Sequence, residues 1–176
     1  KHEQYFHGYS HCPIHLGYLI KRAIYNIKIN ATENREIHFL NTYWKKFIER
    51  KQTIDYFLPM LDVSNTINNE SFYASLGISL YVSQISKISN CIVAMDKFPT
   101  WISLPESCSF YEQVSTVLES IHNLQNNVCN YKKAIQLILH TLKETKVNDK
   151  FIQNMKLMIL SEFSHSMIQE KEIENM

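Results

Sequence analysis

The chain has 176 residues, of which 45% are hydrophobic and 20% charged, and its formal net charge is +1. This composition excludes an intrinsically disordered chain and predicts one globular domain over residues 1–176. A charge so near zero disfavours nucleic acid as a partner, and no run reaches the roughly 18 apolar residues that membrane insertion requires.

The scarcity of turn formers favours long helices. The chain contains only 3 Gly and 4 Pro, whereas doubly wound α/β proteins and β-sandwiches need many tight turns. Apolar residues instead recur at steps of three and four. The sequence therefore predicts an all-α fold, a single-domain bundle of about six helices.

The first three helices are predicted from this spacing. The first spans residues 14–29, and the second follows a near-heptad repeat over residues 33–61. A polar connection with cap residues follows, so the third helix is expected to start at Asn69 or Ser71 and to run to Met95.

The second half of the chain has the same character. "DKFPTWISLPESCS" is predicted to be a loop because of its two prolines. Helices are then expected over residues 110–124, residues 131–142 and from a cap at Asn148 or Asp149 to Phe163. Residues 1–13 are predicted to form an N-terminal arm and residues 170–176 a frayed tail.

Four cysteines lie at or near the ends of the predicted helices, which is typical of disulfide staples: Cys12, Cys91, Cys108 and Cys129. If successive helices run up and down, Cys91 pairs with Cys108 at one pole and Cys12 with Cys129 at the other. A crossover topology would instead make Cys12 with Cys108 the alternative pair.

Two tripeptides match the N-glycosylation acceptor, and they begin at Asn30 and Asn69 in predicted exposed connections. Together with the cysteines, they predict a secreted, extracellular glycoprotein. The alternative is a cytosolic helical protein with four buried thiols.

The histidines of "YFHGYSHCPIHLGY" raise the question of a metal site. His7, His11 and His15 are spaced four apart, next to Cys12, as zinc ligands on one helix face would be. Pro13 interrupts a continuous helix, however, and no second pair of ligands follows in the chain. We therefore predict no metal site here.

No catalytic motif is complete. "SLGIS" is not the GxSxG of a nucleophile elbow, and Glu162 with His165 is half of a di-iron ligand set without a second half. Phosphate-binding loops and dinucleotide fingerprints are absent from the sequence. We expect a protein that is not an enzyme and needs no cofactor.

Three segments, "SHCPIHLGYLIKRAIYNI", "CNYKKAIQLILHTL" and "MILSEF", together with the predicted layout, resemble a class II helical cytokine of the interferon and interleukin-ten type. The resemblance implies a secreted signalling ligand, or a viral mimic active in host immunomodulation. Such a ligand binds cell-surface receptor ectodomains through helix faces and is a possible homodimer. The receptor-binding candidates by position are Lys21, Arg22, Tyr25, Lys28, Lys156 and Glu162.

Two alternatives remain open at this point. "ESFYASLGISLYVSQI" is similar to the central helix of the Bcl-2-like proteins of poxviruses, which implies an intracellular bundle that binds host signalling proteins or an amphipathic helix in a groove. A helical carrier of a lipid or small ligand is the third hypothesis.

Overall fold

The computed structural model describes residues 13–31, 35–49, 51–64, 69–122 and 129–161. The helices in these ranges are α1 (Pro13–Lys28), α2 (Arg35–Glu49), α3 (Glu70–Ile85), α4 (Phe110–Ile121), α5 (Tyr131–Glu144) and α6 (Asp149–Asn154). The strands are β1 (Phe57–Asp62), β2 (Cys91–Met95), β3 (Thr100–Ser103) and β4 (Lys156–Leu160). The fold is therefore α/β, and the predicted all-α, disulfide-stapled helical bundle is wrong.

The four strands form one mixed sheet in the order β3-β2-β1-β4. β1 is parallel to both of its neighbours, and Met60 is paired with Val93 of β2 and with Ile159 of β4. β2 and β3 are antiparallel, with Val93 opposite Trp101. β1 thus lies inside the sheet, between its two parallel neighbours β2 and β4.

Helices cover both faces of the sheet. Leu61 and Ile92 face the first layer, where they pack with apolar residues of α1, α2, α3 and α4. Leu58 and Val93 face the second layer, which α5 and α6 form. Burial on both faces is the usual arrangement for parallel strands, because crossover helices lie on either side of them.

Double-sided burial explains why β1 and β2 were predicted as helix. The second helix was predicted to continue to residue 61, but in the structure α2 ends at Glu49. "FLPMLD" of residues 57–62 is instead a strand whose four inner residues are buried. The third helix was predicted to continue to Met95, but in the structure α3 ends at Ile85. All five residues of the following strand "CIVAM" are buried. Because every position of such a strand is apolar, it lacks the alternation by which half-buried strands are recognised.

Two further segments differ from the predictions. The predicted loop after Met95 contains β3, and the predicted sixth helix ends at Asn154, after which β4 begins. The expected starts of α3 after Asn69, α4 at Phe110 and α5 at Tyr131 are confirmed.

The scarcity of glycine did not prevent an α/β fold. In the described ranges, the residues with positive φ are Asn30, Asn90 and Lys146, at 49°, 59° and 51°, and none is glycine. Asn is among the residues that adopt this left-handed conformation most readily. Counting glycines therefore underestimated the number of tight turns.

The cysteines form no disulfide in the described ranges. Cys91, Cys108 and Cys129 are free thiols, and Cys91 is buried at the start of β2 instead of lying at a helix end. Cys12 lies outside the described residues, as do the pairings predicted for it, the rest of the N-terminal arm before Pro13, and the tail.

Candidate functional site

Oxygen-bearing side chains gather at the carboxyl edge of the three parallel strands. Asp62 ends β1, Asp96 follows β2, and Ser161 follows β4. The chain leaves β1 toward β2 on one side and returns to β4 on the other, so the strand order reverses at β1. Ligands of open α/β sheets bind outside the carboxyl ends of the strands at such a reversal.

The carboxylate of Asp62 is the centre of this group. Its Oδ1 accepts hydrogen bonds from the backbone N–H of Ser64 at 2.9 Å and from Ser64 Oγ at 2.6 Å. Its Oδ2 accepts one from Ser161 Oγ at 2.5 Å. Two hydroxyl groups, one after β1 and one after β4, therefore converge on one carboxylate. We call Asp62, Ser64, Asp96 and Ser161 the Asp62 site.

Asp96 adds a second acidic side chain, which is fully buried. Its Oδ1 accepts a hydrogen bond from the backbone N–H of Lys97 at 2.6 Å. Its carbonyl oxygen accepts one from the N–H of Asn130 at 3.2 Å, which ties the start of α5 to the end of β2. α5 thus begins at the same edge of the sheet as Asp62.

Cys129 and Tyr131 lie beside the carboxylate. Burial raises the pKa of the Cys129 thiol to about 12, and the charges of Asp62 and Asp96 act in the same direction, while a hydrogen bond with Tyr131 acts against them. Burial also raises the pKa of the Tyr131 phenol to about 12, with the Cys129 and Asp62 charges adding to it. Both groups are therefore neutral at physiological pH, and Cys129 is a poor nucleophile.

The chemistry of the Asp62 site is that of hard oxygen donors. Carboxylate and hydroxyl oxygens suit Mg²⁺, Mn²⁺ or Ca²⁺, whereas thiolate and imidazole groups suit Zn²⁺ or Cu⁺. No three His, Cys, Asp or Glu side chains come close enough to hold a metal in the part of the chain that the structure describes. A cation here therefore needs the hydroxyls and water as well as carboxylates.

The residues predicted to bind a receptor lie elsewhere. On α1, Lys21 is paired with Glu70 and Arg22 with Glu36 at 2.5 Å, and Tyr25 and Lys28 are exposed. Lys156 starts β4 at the opposite edge of the sheet, 3.5 Å from Asp55. Glu162 lies outside the described residues.

The predicted glycosylation sites differ in their surroundings. Asn30 is exposed just after α1. Asn69 is half-buried and caps α3, because its side-chain oxygen accepts a hydrogen bond from the N–H of Phe72 at 2.7 Å. Of the predicted histidine cluster, His7 and His11 lie outside the described residues, and nothing is described of the His15 side chain.

Sequence reasoning missed the Asp62 site, although a signal was present. "FLPMLD", "CIVAMD" and "KLMILS" are three short apolar runs, and each ends in an oxygen-bearing side chain. Had the runs been interpreted as parallel strands, their ends would have been expected at one edge of a sheet.

Comparison of the chain with protein-family models, with curated proteins and with solved structures gives no match. None of the helices described is both long and apolar enough to cross a membrane. The chain is thus characterised by its α/β fold and by the side chains at the carboxyl edge of its sheet.

Proposed function

We propose that this chain is a binding domain that holds a divalent cation of the Mg²⁺ type at the Asp62 site and, through that cation, an acidic ligand. The observation that supports the proposal is the convergence of the Ser64 and Ser161 hydroxyls on the Asp62 carboxylate at 2.6 and 2.5 Å. These three groups come from the ends of two adjacent parallel strands, where ligands of such sheets bind.

A cation would change the role of the two hydroxyls. Each now donates to Asp62, but a hydroxyl also has two acceptor lone pairs and can turn them toward a metal ion. Mg²⁺ is usually bound by one or two carboxylates, and water fills its remaining positions. A carboxylate or phosphate group of an acidic ligand can replace one of those waters and coordinate the cation directly.

The charge around the site favours this assignment. Asp96 is buried behind the edge and contributes a second negative charge, which attracts a cation. The Cys129 thiol, whose pKa is raised to about 12, supplies no thiolate for a soft metal. The predicted absence of catalysis is part of the same proposal, because Cys129 and Tyr131 are too weakly acidic to serve as a nucleophile or base at neutral pH.

The earlier hypotheses of function depended on a bundle that the structure does not contain. The cytokine, Bcl-2-like and carrier hypotheses were drawn from a predicted helical bundle, whereas a sheet fills the centre of this fold, and as functions they stay predictions. Secretion, glycosylation at Asn30 and Asn69, receptor binding and homodimer formation stay predictions.

Isothermal titration calorimetry with MgCl₂ and MnCl₂ tests the cation site. The variant is Asp62→Asn, which keeps the size of the side chain and removes its charge. The matched control is Asp55→Asn, because Asp55 is an exposed aspartate just before the opposite end of the same strand. Circular dichroism verifies that each variant is folded.

We expect saturable binding to the wild-type protein and to Asp55→Asn, and binding at least about tenfold weaker to Asp62→Asn, a loss of roughly 1.4 kcal/mol. Ser161→Ala should also weaken binding, because it removes an oxygen from the site without a change of charge. Equal binding to Asp62→Asn, or no saturable binding to the wild type, would refute the proposal.

A further inference from the structure

An exposed aromatic ring lies close to the Asp62 site. Phe98 is in the connection between β2 and β3, two residues after Asp96, and at 56% it is the most exposed large apolar side chain in the part of the chain that the structure describes. The Nζ atoms of Lys133 and Lys97 lie 4.7 and 5.6 Å from the centroid of its ring. The ring is therefore accessible and has two ammonium groups beside it.

Three lysines belong to this region: Lys97 and Lys133, whose ammonium groups lie beside the ring, and Lys132, which precedes Lys133 in the sequence. Lys97, Lys132 and Lys133 are exposed, and no ion pair joins any of them to an acidic side chain within the ranges described. Lys21 and Lys87 do have such partners, whereas the exposed Lys46, Lys143 and Lys146 have none within these ranges either. Within the described ranges the group therefore carries positive charge that no ion pair neutralises, beside the buried carboxylate of Asp96.

The position of two of these lysines is unfavourable for stability. Lys132 and Lys133 lie in the first turn of α5, which contains no acidic residue. The amino end of a helix carries a partial positive charge, so cations are disfavoured there and anions favoured. A negatively charged partner would relieve this repulsion. We call Lys97, Phe98, Lys132 and Lys133 the Phe98 surface.

We propose that the Phe98 surface binds an acidic segment of a partner protein. An apolar side chain of that segment would cover the Phe98 ring, and its carboxylates would lie against the lysines. Aromatic side chains are frequent anchors of protein interfaces, and complementary charge around them accelerates and orients association.

Single-stranded nucleic acid is the other polyanion to consider. Such nucleic acids are bound along basic grooves in which successive bases stack on several aromatic rings. The Phe98 surface has one ring, and the net charge of the chain is only +1. An acidic peptide with one apolar anchor therefore fits these residues better.

This inference goes beyond the proposed cation site. EDTA in the buffer removes divalent cations, so the result does not depend on whether the Asp62 site binds one. The probe is a fluorescein-labelled peptide of glutamates around one central leucine, titrated with the full chain and followed by fluorescence anisotropy in low-salt buffer. The variants are Phe98→Ala, Lys133→Gln and a triple variant in which Lys97, Lys132 and Lys133 are glutamine. The matched control is Lys143→Gln, since Lys143 is exposed in the last turn of the same helix.

We expect saturable binding to the wild type and to Lys143→Gln. Phe98→Ala should weaken binding about fivefold and Lys133→Gln about threefold. The triple variant should lose measurable binding, and added salt should weaken the wild-type interaction because these charges are exposed. Since all the altered side chains are exposed, circular dichroism should show that each variant folds.

Several outcomes would overturn the inference. Absence of binding to the wild type in the titration would do so, and so would a triple variant that binds as tightly as the wild type. Equal binding of a peptide of glutamines around leucine would mean that charge plays no part. Tighter binding to single-stranded DNA, lost in the same variants, would assign the surface to nucleic acid instead.

Discussion

Gly77→Ala tests the packing of α1 against α3, the helix that follows β1 in the chain. A Cβ atom added at Gly77 would lie 2.8 Å from Leu16 Cβ, 3.0 Å from the Leu16 carbonyl carbon and 3.2 Å from its oxygen. Two of these three atoms belong to the backbone of α1. A change of the Leu16 rotamer therefore cannot make room, and the two helices must move apart.

Two opposing effects determine the size of the loss. Alanine in place of glycine stabilises a helix interior by about 1 kcal/mol. Overpacking of a filled core costs about 1–3 kcal/mol, and a gap of 0.5–1 Å between the helices would remove roughly a quarter to a half of each dispersion contact across it. Because Gly77 meets backbone atoms of Leu16, the overpacking cost lies in the upper part of this range, about 2–3 kcal/mol, which leaves a net destabilisation of about 1–2 kcal/mol.

Urea denaturation followed by tryptophan fluorescence measures this loss as a lower midpoint with an unchanged slope. Gly17→Ala is the matched control, because its added Cβ would lie farther away, 3.3 Å from Ala74 N and 3.4 Å from Ala74 Cα. We expect the control to be less destabilised than Gly77→Ala. If Gly77→Ala equals or exceeds the stability of the wild type, the close approach of α1 and α3 is wrong.

Three further predictions concern single side chains. Burial is the main cause that raises the pKa of Cys91 and of Cys129 to about 12. Near pH 8, close to the ordinary pKa of a thiol, both should be alkylated slowly in the folded protein and fast in urea. Equal rates would contradict their burial. The hydrogen bond from the backbone N–H of Ser109 lowers the pKa of Glu112. The stabilisation by this ionised carboxylate is therefore complete above about pH 4.3, the ordinary pKa of glutamate, and is lost as the pH falls through the lowered pKa. Acid unfolding curves of the wild type and Glu112→Gln should accordingly converge at low pH and differ near neutrality. Ser79 Oγ is buried and has no hydrogen-bond partner among the described residues, so Ser79→Ala should be neutral or stabilising by up to about 1 kcal/mol in thermal unfolding, whereas a loss would reveal a partner for this hydroxyl.

Local hydrogen bonds mark the beginnings of three helices, of which the cap of α3 was predicted and the starts of α4 and α5 were predicted from apolar spacing. Asn69 caps α3, and Ser109 with Glu112 forms a capping box at the start of α4. Asn130 caps α5 by accepting a hydrogen bond from the N–H of Lys133 at 2.9 Å. These interactions join residues three apart in the chain, so they can be predicted from the sequence alone.

The strands could not be predicted in the same way. A strand buried on both faces is apolar at every position, and over five or six residues it has no period that distinguishes it from part of a buried helix. The segments 57–62 and 91–95 are of this kind, and the helices before them were extended into them. The error in fold class follows from these two segments and from β4.

The sequence by itself determined the helix caps, the apolar segments and the oxygen-bearing residues that end three of those segments. Only the tertiary structure brought those residues together, because Asp62 and Ser161 are 99 positions apart and no local pattern connects them. Their contact depends on the parallel pairing of β1 with β4, in which Leu61 lies opposite Leu160. Strand order and register are properties of the whole core, since they depend on which helices cover each face of the sheet.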